Sequence, residues 1–203
     1  MKKAKGQTII EVLVALAVVS IGLFASAGLV FGNLSLVERD TDRVIATNLA
    51  REAIEIAKQI RDSNWLSNQA FDVGLVNALT PGDYTATLIW DGVVAKPSFE
   101  FTANAISDSN AQVVLSTAAT PNGMYANQNT APPIGGSATP FKRLTTFSPI
   151  CADAANTHTV ISSGICTDIG QVKAGIRIES RVEWTRKGRT ISSVIYEDIY
   201  DWK

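Results

Sequence analysis

From Ile9 to Leu36 the chain is almost wholly apolar, IIEVLVALAVVSIGLFASAGLVFGNLSL, and no other feature constrains its fold as much. Glu11 is the one charged side chain between Gly6 and Glu38. A helix over this run, rising about 1.5 Å per residue, exceeds the roughly 30 Å hydrocarbon core of a bilayer. Ahead of it, Met1–Gly6 carries Lys2, Lys3 and Lys5 and no acid. The positive-inside rule therefore places the N-terminus in the cytoplasm and the remainder outside. A secretory signal peptide is the rival reading, with Ala25-Ser26-Ala27 resembling a cleavage site. The apolar run is longer than an ordinary signal core, however, and a carboxylate sits near its start.

After the apolar run the pattern becomes two-faced. Val37, Val44, Ile45, Leu49, Ala53, Ile56 and Ile60 recur at helical spacing, separated by charged residues from Glu38 to Arg61. That is an amphipathic helix with one apolar stripe. The first proline is Pro81, so a single helix is predicted from about Thr8 to Trp65. Asn64–Gln69 is its polar stop.

The remainder reads as strands. Strand candidates are Asp83–Trp90, with Tyr84, Ala86, Leu88 and Trp90 on one side, then Ser98–Ala105, Ala111–Ser116 and Lys142–Ile150. Asp91-Gly92 is a turn signal. Thr120–Pro140 reads as a long loop and Cys151–Asp168 as an irregular stretch. The clearest signal is the alternation of Ile176, Ile178, Val182 and Trp184 with Arg177, Glu179, Arg181 and Glu183. With Thr190–Tyr200 it predicts a hairpin turning at Arg186–Arg189, with one buried face. The expected fold class is α+β: a long N-terminal helix packed on a C-terminal antiparallel sheet. The expected segments are 1–6, a basic leader; 7–36, the transmembrane half of the helix; 37–66, its amphipathic continuation; and 67–203, an extracytoplasmic headgroup.

The formal charge is -1, and without the three leader lysines it becomes -4. A mildly acidic body has no general attraction for nucleic acid. The two cysteines, Cys151 and Cys166, do not make a zinc site alone, and His158 is the only histidine. In an oxidising compartment they are candidates for one disulfide; in a reducing one they are free thiols.

The N-terminal residues Lys2, Lys3, Lys5, Gly6 and then Gln7-Thr8-Ile9-Ile10-Glu11-Val12-Leu13-Val14-Ala15-Leu16-Ala17 resemble the signal of type IV pilins and type II secretion pseudopilins. The resemblance is tight over Lys2–Ala27 and architectural beyond. It implies cleavage between Gly6 and Gln7 by a prepilin peptidase, which also methylates the new N-terminus. It implies that Glu11 pairs with the amine of Gln7 on a neighbouring subunit. The implied partners are other pilin or pseudopilin subunits, the prepilin peptidase/methylase and an inner-membrane assembly platform. The implied location is the cytoplasmic membrane, single-pass with the N-terminus inside, and then a surface or extracellular filament. Two residues depart from the family pattern: Gln7 stands where Phe or Met is usual, and no proline lies near Gly28. The Ala50–Glu55 stretch and the ending Tyr200-Asp201-Trp202 resemble minor rather than main subunits.

No nucleophile elbow, zinc-protease motif or phosphate-binding glycine loop occurs. The expectation is a non-enzymatic protein without cofactor or metal. Asp40-Thr41-Asp42 lies in the helical pattern and lacks the spaced oxygens of a calcium loop. Arg186, Lys187 and Arg189 form a small basic tip; a solvated turn is the ordinary reading, and a contact with DNA or another anionic surface is the other. Two further functions compete with a filament subunit. One is a singly anchored binding or adhesion module that never assembles. The other is a secreted enzyme, for which the sequence offers no polar cluster.

Overall fold

The computed structural model describes residues 8–76, 85–91, 96–101, 105–116, 125–127, 136–162 and 164–201. Gly6, Gln7, Tyr84, Gly92 and Trp202 lie outside them, as do parts of the expected 120–140 loop. The chain divides into two units, Met1–Val44 and Ile45–Lys203. One helix, α1 (Ile9–Leu66), starts in the first and ends in the second, close to the limits the hydropathy pattern predicts.

In the first unit, the Thr8 carbonyl accepts the backbone N–H of Glu11 (3.0 Å) and of Val12 (3.3 Å) and so opens the helix. Ser20 and Ser26 donate their hydroxyls to the carbonyls of Leu16 (2.7 Å) and Leu23 (2.9 Å). Polar atoms thus stay bonded within an apolar helix, as side-chain to backbone bonds allow. The apolar side chains themselves are uncovered: Phe24 is 79%, Leu29 71% and Phe31 71% exposed. Leaving such a side chain in water forgoes about 1.5–3 kcal/mol each. A helix of this kind requires lipid or other chains around it, and by length and composition it suffices to cross a membrane.

In the second unit, α1 buries Ala46, Leu49, Ala50, Ala53, Ile54 and Ala57. Of the predicted stripe, Leu49 and Ala53 are on this buried face, and Ile45, Ile56 and Ile60 pack beside it half-buried. Val37 and Val44 do not belong to it; they are 62% and 60% exposed. The stripe is built mainly from alanines because large residues come from the sheet, among them Phe147, Phe141 and Trp184. Small side chains on the helix let interdigitation reach interior packing density. The helix ends where Asn64 donates its side-chain amide to the carbonyls of Phe71 (3.1 Å) and Val73 (2.8 Å), capturing the loop that follows.

Among the described residues, eight strands form an antiparallel sheet: β1 Thr85–Asp91, β2 Lys96–Glu100, β3 Gln112–Ser116, β4 Tyr125–Asn127, β5 Gly136–Ala152, β6 His158–Val160, β7 Val172–Arg186 and β8 Arg189–Tyr200. The fold class is α+β. β5 is the organising strand: it pairs with β1, β3 and β6 as well as with β7, which carries β8. The hairpin of β7 and β8 follows the predicted alternation, with Ile176, Ile178 and Val182 at 0% and Trp184 at 4% exposure. Its turn is Lys187-Gly188, both left-handed (φ 49 and 76), which suits a two-residue hairpin connection.

Three strand expectations need correction. The Ser98–Ala105 strand is displaced to Lys96–Glu100. The Thr120–Pro140 loop contains β4 and the start of β5. Gly136, which reads as a loop signal, instead allows β5 to approach the Leu115 backbone where a Cβ would clash. The irregular Cys151–Asp168 stretch holds β6 and a short 3-10 turn, Cys166–Ile169. Ion pairs pin the helix and its following loop to the sheet: Lys58 to Glu197 (3.0 Å) and Lys173 to Asp72.

Candidate functional site

Within the first unit, Glu11 occupies the first turn of α1 and is exposed. A carboxylate there meets the unsatisfied N–H groups and the positive end of the helix dipole. It is also the one charge among apolar side chains, several of them more than half exposed. Gly6 and Gln7, the expected processing junction, lie outside the described residues.

In the second unit the structure adds a buried polar cluster that the pattern of residues did not single out. Arg143 on β5 is completely buried. Its Nη1 donates to Glu52 Oε2 (2.6 Å) and to the Leu49 carbonyl (3.1 Å), and its Nε donates to Asn127 Oδ1 (3.3 Å). Asn127, itself buried, donates its amide to the carbonyls of Ala111 (2.8 Å) and Arg143 (3.0 Å). Burial lowers the Arg143 pKa, and the Glu52 charge opposes that shift. A buried cation held this way fixes how the helix seats on β5 but is weak evidence of net stabilisation. The sequence offered one signal: Arg143 shares strand parity with Phe141 and Phe147, hence the inward face.

Cys151 and Cys166 are bonded to each other in the structure, with Cα atoms 5.4 Å apart. The bond ties the end of β5 to the Cys166–Ile169 turn, and both residues are buried. His158 is exposed on β6 with its ring 5.5 Å from that of Tyr200. Asp40-Thr41-Asp42 lies within α1, with the Thr41 hydroxyl donating to the Val37 carbonyl (2.9 Å). Arg186, Lys187 and Arg189 sit at the hairpin turn, and Arg186 is directly opposite Arg189. Among the described residues, no three His, Cys, Asp or Glu converge to hold a metal ion.

Residues 1–27 match the prokaryotic N-terminal methylation motif. The chain carries a type IV pilin signal. The match covers the basic N-terminal residues and the start of α1, and the long N-terminal helix followed by an antiparallel sheet fits a pilin-like protein. No curated protein and no solved structure matches the chain. The pilin-type motif points to a structural, non-enzymatic protein made as a precursor and anchored by its apolar helix.

Proposed function

We propose that the chain is a minor subunit of a type IV pilus or pseudopilus-like filament. It is made as a precursor, cut between Gly6 and Gln7, methylated on Gln7, held in the cytoplasmic membrane by the first half of α1, and then assembled with other pilin or pseudopilin subunits at an inner-membrane platform. The observation that carries this reading is an uncovered apolar helix with one carboxylate, Glu11, in its first turn, within a stretch that matches the N-terminal methylation motif. A lone carboxylate in a membrane span is unfavourable, by about 2.5–3.5 kcal/mol at the bilayer centre and less near its edge. In an assembled filament the same group gains a charge-assisted contact with the Gln7 amine of the next subunit.

The second reading is a singly anchored adhesion or binding module, for which the same helix suffices. Glu11→Leu separates the two. As a passive anchor, the span is improved by the change. As a filament subunit, the variant inserts and is cleaved normally but is depleted from sheared filaments while it accumulates in the membrane. The measurement is the ratio of filament to membrane immunoblot signal for variant and wild type. Equal ratios would rule out the assembly role.

A further inference from the structure

We propose that the β7–β8 turn is a docking point for the anionic lipid headgroups of the membrane that holds the chain before assembly. The inference rests on the membrane-anchored reading above, and it adds a contact between the headgroup and lipid that the anchor does not require.

The position of the turn comes first. Within the second unit, Thr47 of α1 lies beside Ser193 of β8 (3.4 Å), and Lys58 pairs with Glu197 further along the same strand. Trp184, near the turn, packs with Ala46, Leu49 and Ala50, whereas Ile176 and Ile199, at the far end of the hairpin, pack with Ala53, Ile54 and Ala57. The turn therefore belongs to the end of the body at which the chain arrives from its apolar run. Only residues 38–44 connect Val37 to that end, and such a segment reaches at most about 25 Å fully extended and about 10 Å as a helix.

The chemistry of the turn comes second. Arg186, Lys187 and Arg189 are consecutive but for Gly188, with no acid among them. Arg186 and Arg189 are directly opposed across the strand pair. The nearest acid on either strand, Glu183, is engaged by Arg181 (3.6 Å). Lys187 and Arg189 are exposed, and among the described residues neither forms an ion pair. Lys187 also holds a left-handed backbone (φ 49), a position better suited to asparagine or glycine. A lysine in this place weakens the turn and brings a positive charge to its tip. Basic residues near an anionic surface gain attraction that fades within a Debye length.

The test uses the full-length chain in lipid nanodiscs, with bimane attached at Thr190→Cys and a nitroxide carried on the lipid headgroups. In discs containing phosphatidylglycerol, the bimane should be quenched; in pure phosphatidylcholine discs it should not. Removing one basic residue should reduce the ratio of docked to free turn about five-fold. Lys187→Asn is the decisive variant, because an Asn-Gly turn folds at least as well while lacking the charge. Loss of quenching in Lys187→Asn, and its further loss in Lys187→Asn with Arg189→Gln, supports the docking. Equal quenching in both lipids, unchanged quenching in the variants, or a response to duplex DNA without a response to anionic lipid overturns it. Failure of the chain to enter discs of either lipid defeats the anchored reading instead, so the two failures are distinct.

Discussion

Arg143 Nη1 and Glu52 Oε2 lie 2.6 Å apart, joining the centre of β5 to the last third of α1 from a position with no solvent access on the arginine side. Glu52 keeps about a third of its side chain exposed (32%). The pair therefore spans the boundary between interior and surface, and its two members are not equivalent to mutation.

Removing Glu52 leaves a buried guanidinium with the Leu49 carbonyl and Asn127 as its remaining partners. Glu52→Ala is expected to destabilise the body by about 3 kcal/mol, the lower part of the range for breaking a buried pair, because Glu52 is partly solvated. Arg143→Met combined with Glu52→Gln should be less harmful than Glu52→Ala alone, since no uncompensated charge remains. Urea unfolding of a fragment comprising residues 38–203 measures both, and circular dichroism of the wild-type fragment should report mixed helix and sheet. A double variant less stable than Glu52→Ala would contradict the electrostatic account.

The second prediction concerns acid. Arg177 donates twice to Asp198 across the hairpin, from Nε (2.7 Å) and from Nη2 (2.8 Å). These bonds, more than the Coulomb attraction, hold the Asp198 carboxyl below its ordinary value. In the folded protein Asp198 then binds fewer protons than in the unfolded chain near pH 4, so stability rises with pH there. The contribution is present above the ordinary aspartate range and is lost as pH falls through the lowered folded value. Asp198→Asn should flatten the pH dependence of stability in that acidic window and leave its shape unchanged near neutrality. An unaltered acid slope in the variant would remove Asp198 as its source.

The third concerns the cysteines. In exported protein, thiol labelling of Cys151 and Cys166 is expected only after reduction under denaturing conditions. The closed loop has a sequence separation of 15, for which chain entropy gives about 3 kcal/mol. Reduction, or Cys151→Ser with Cys166→Ser, should lower the unfolding midpoint accordingly. Labelling at full yield without reductant would show that the bond is absent in the cell.

The fourth concerns processing. Membrane-extracted protein should begin at Gln7 and carry one extra methyl group by intact mass and N-terminal sequencing. Replacing Gly6 with a bulky residue should leave the uncut precursor in the membrane. Mature protein of unchanged size from that variant would count against the pilin-type precursor.

The extent of α1 was legible because helical periodicity and an unbroken apolar run are local properties, set by side chains a few positions apart. The β7–β8 hairpin was legible for the same reason: Ile176, Ile178, Val182 and Trp184 alternate, and a short turn fixes their register. The N-terminal methylation motif over residues 1–27 was also legible, because a linear signal is read from adjacent residues. The buried face of α1 was not. Ala46, Ala50 and Ala57 carry almost no hydrophobic signal, and their burial depends on the large residues that β5 and β7 bring against them. Gly136 likewise reads as loop until the Leu115 backbone is placed beside it.

By itself, then, the sequence determined what depends on local order: one long helix, its apolar half with a single carboxylate, a linear processing signal, and a terminal hairpin. Tertiary structure decided what depends on residues far apart in the chain. It placed Arg143 inside against Glu52, 91 positions away in the chain, and it packed Trp184, close to the basic turn, against Ala46, Leu49 and Ala50. The physical reason is that the favourability of a buried charge, and the end of the molecule to which a turn belongs, are fixed by packing between elements; no spacing within one element encodes either.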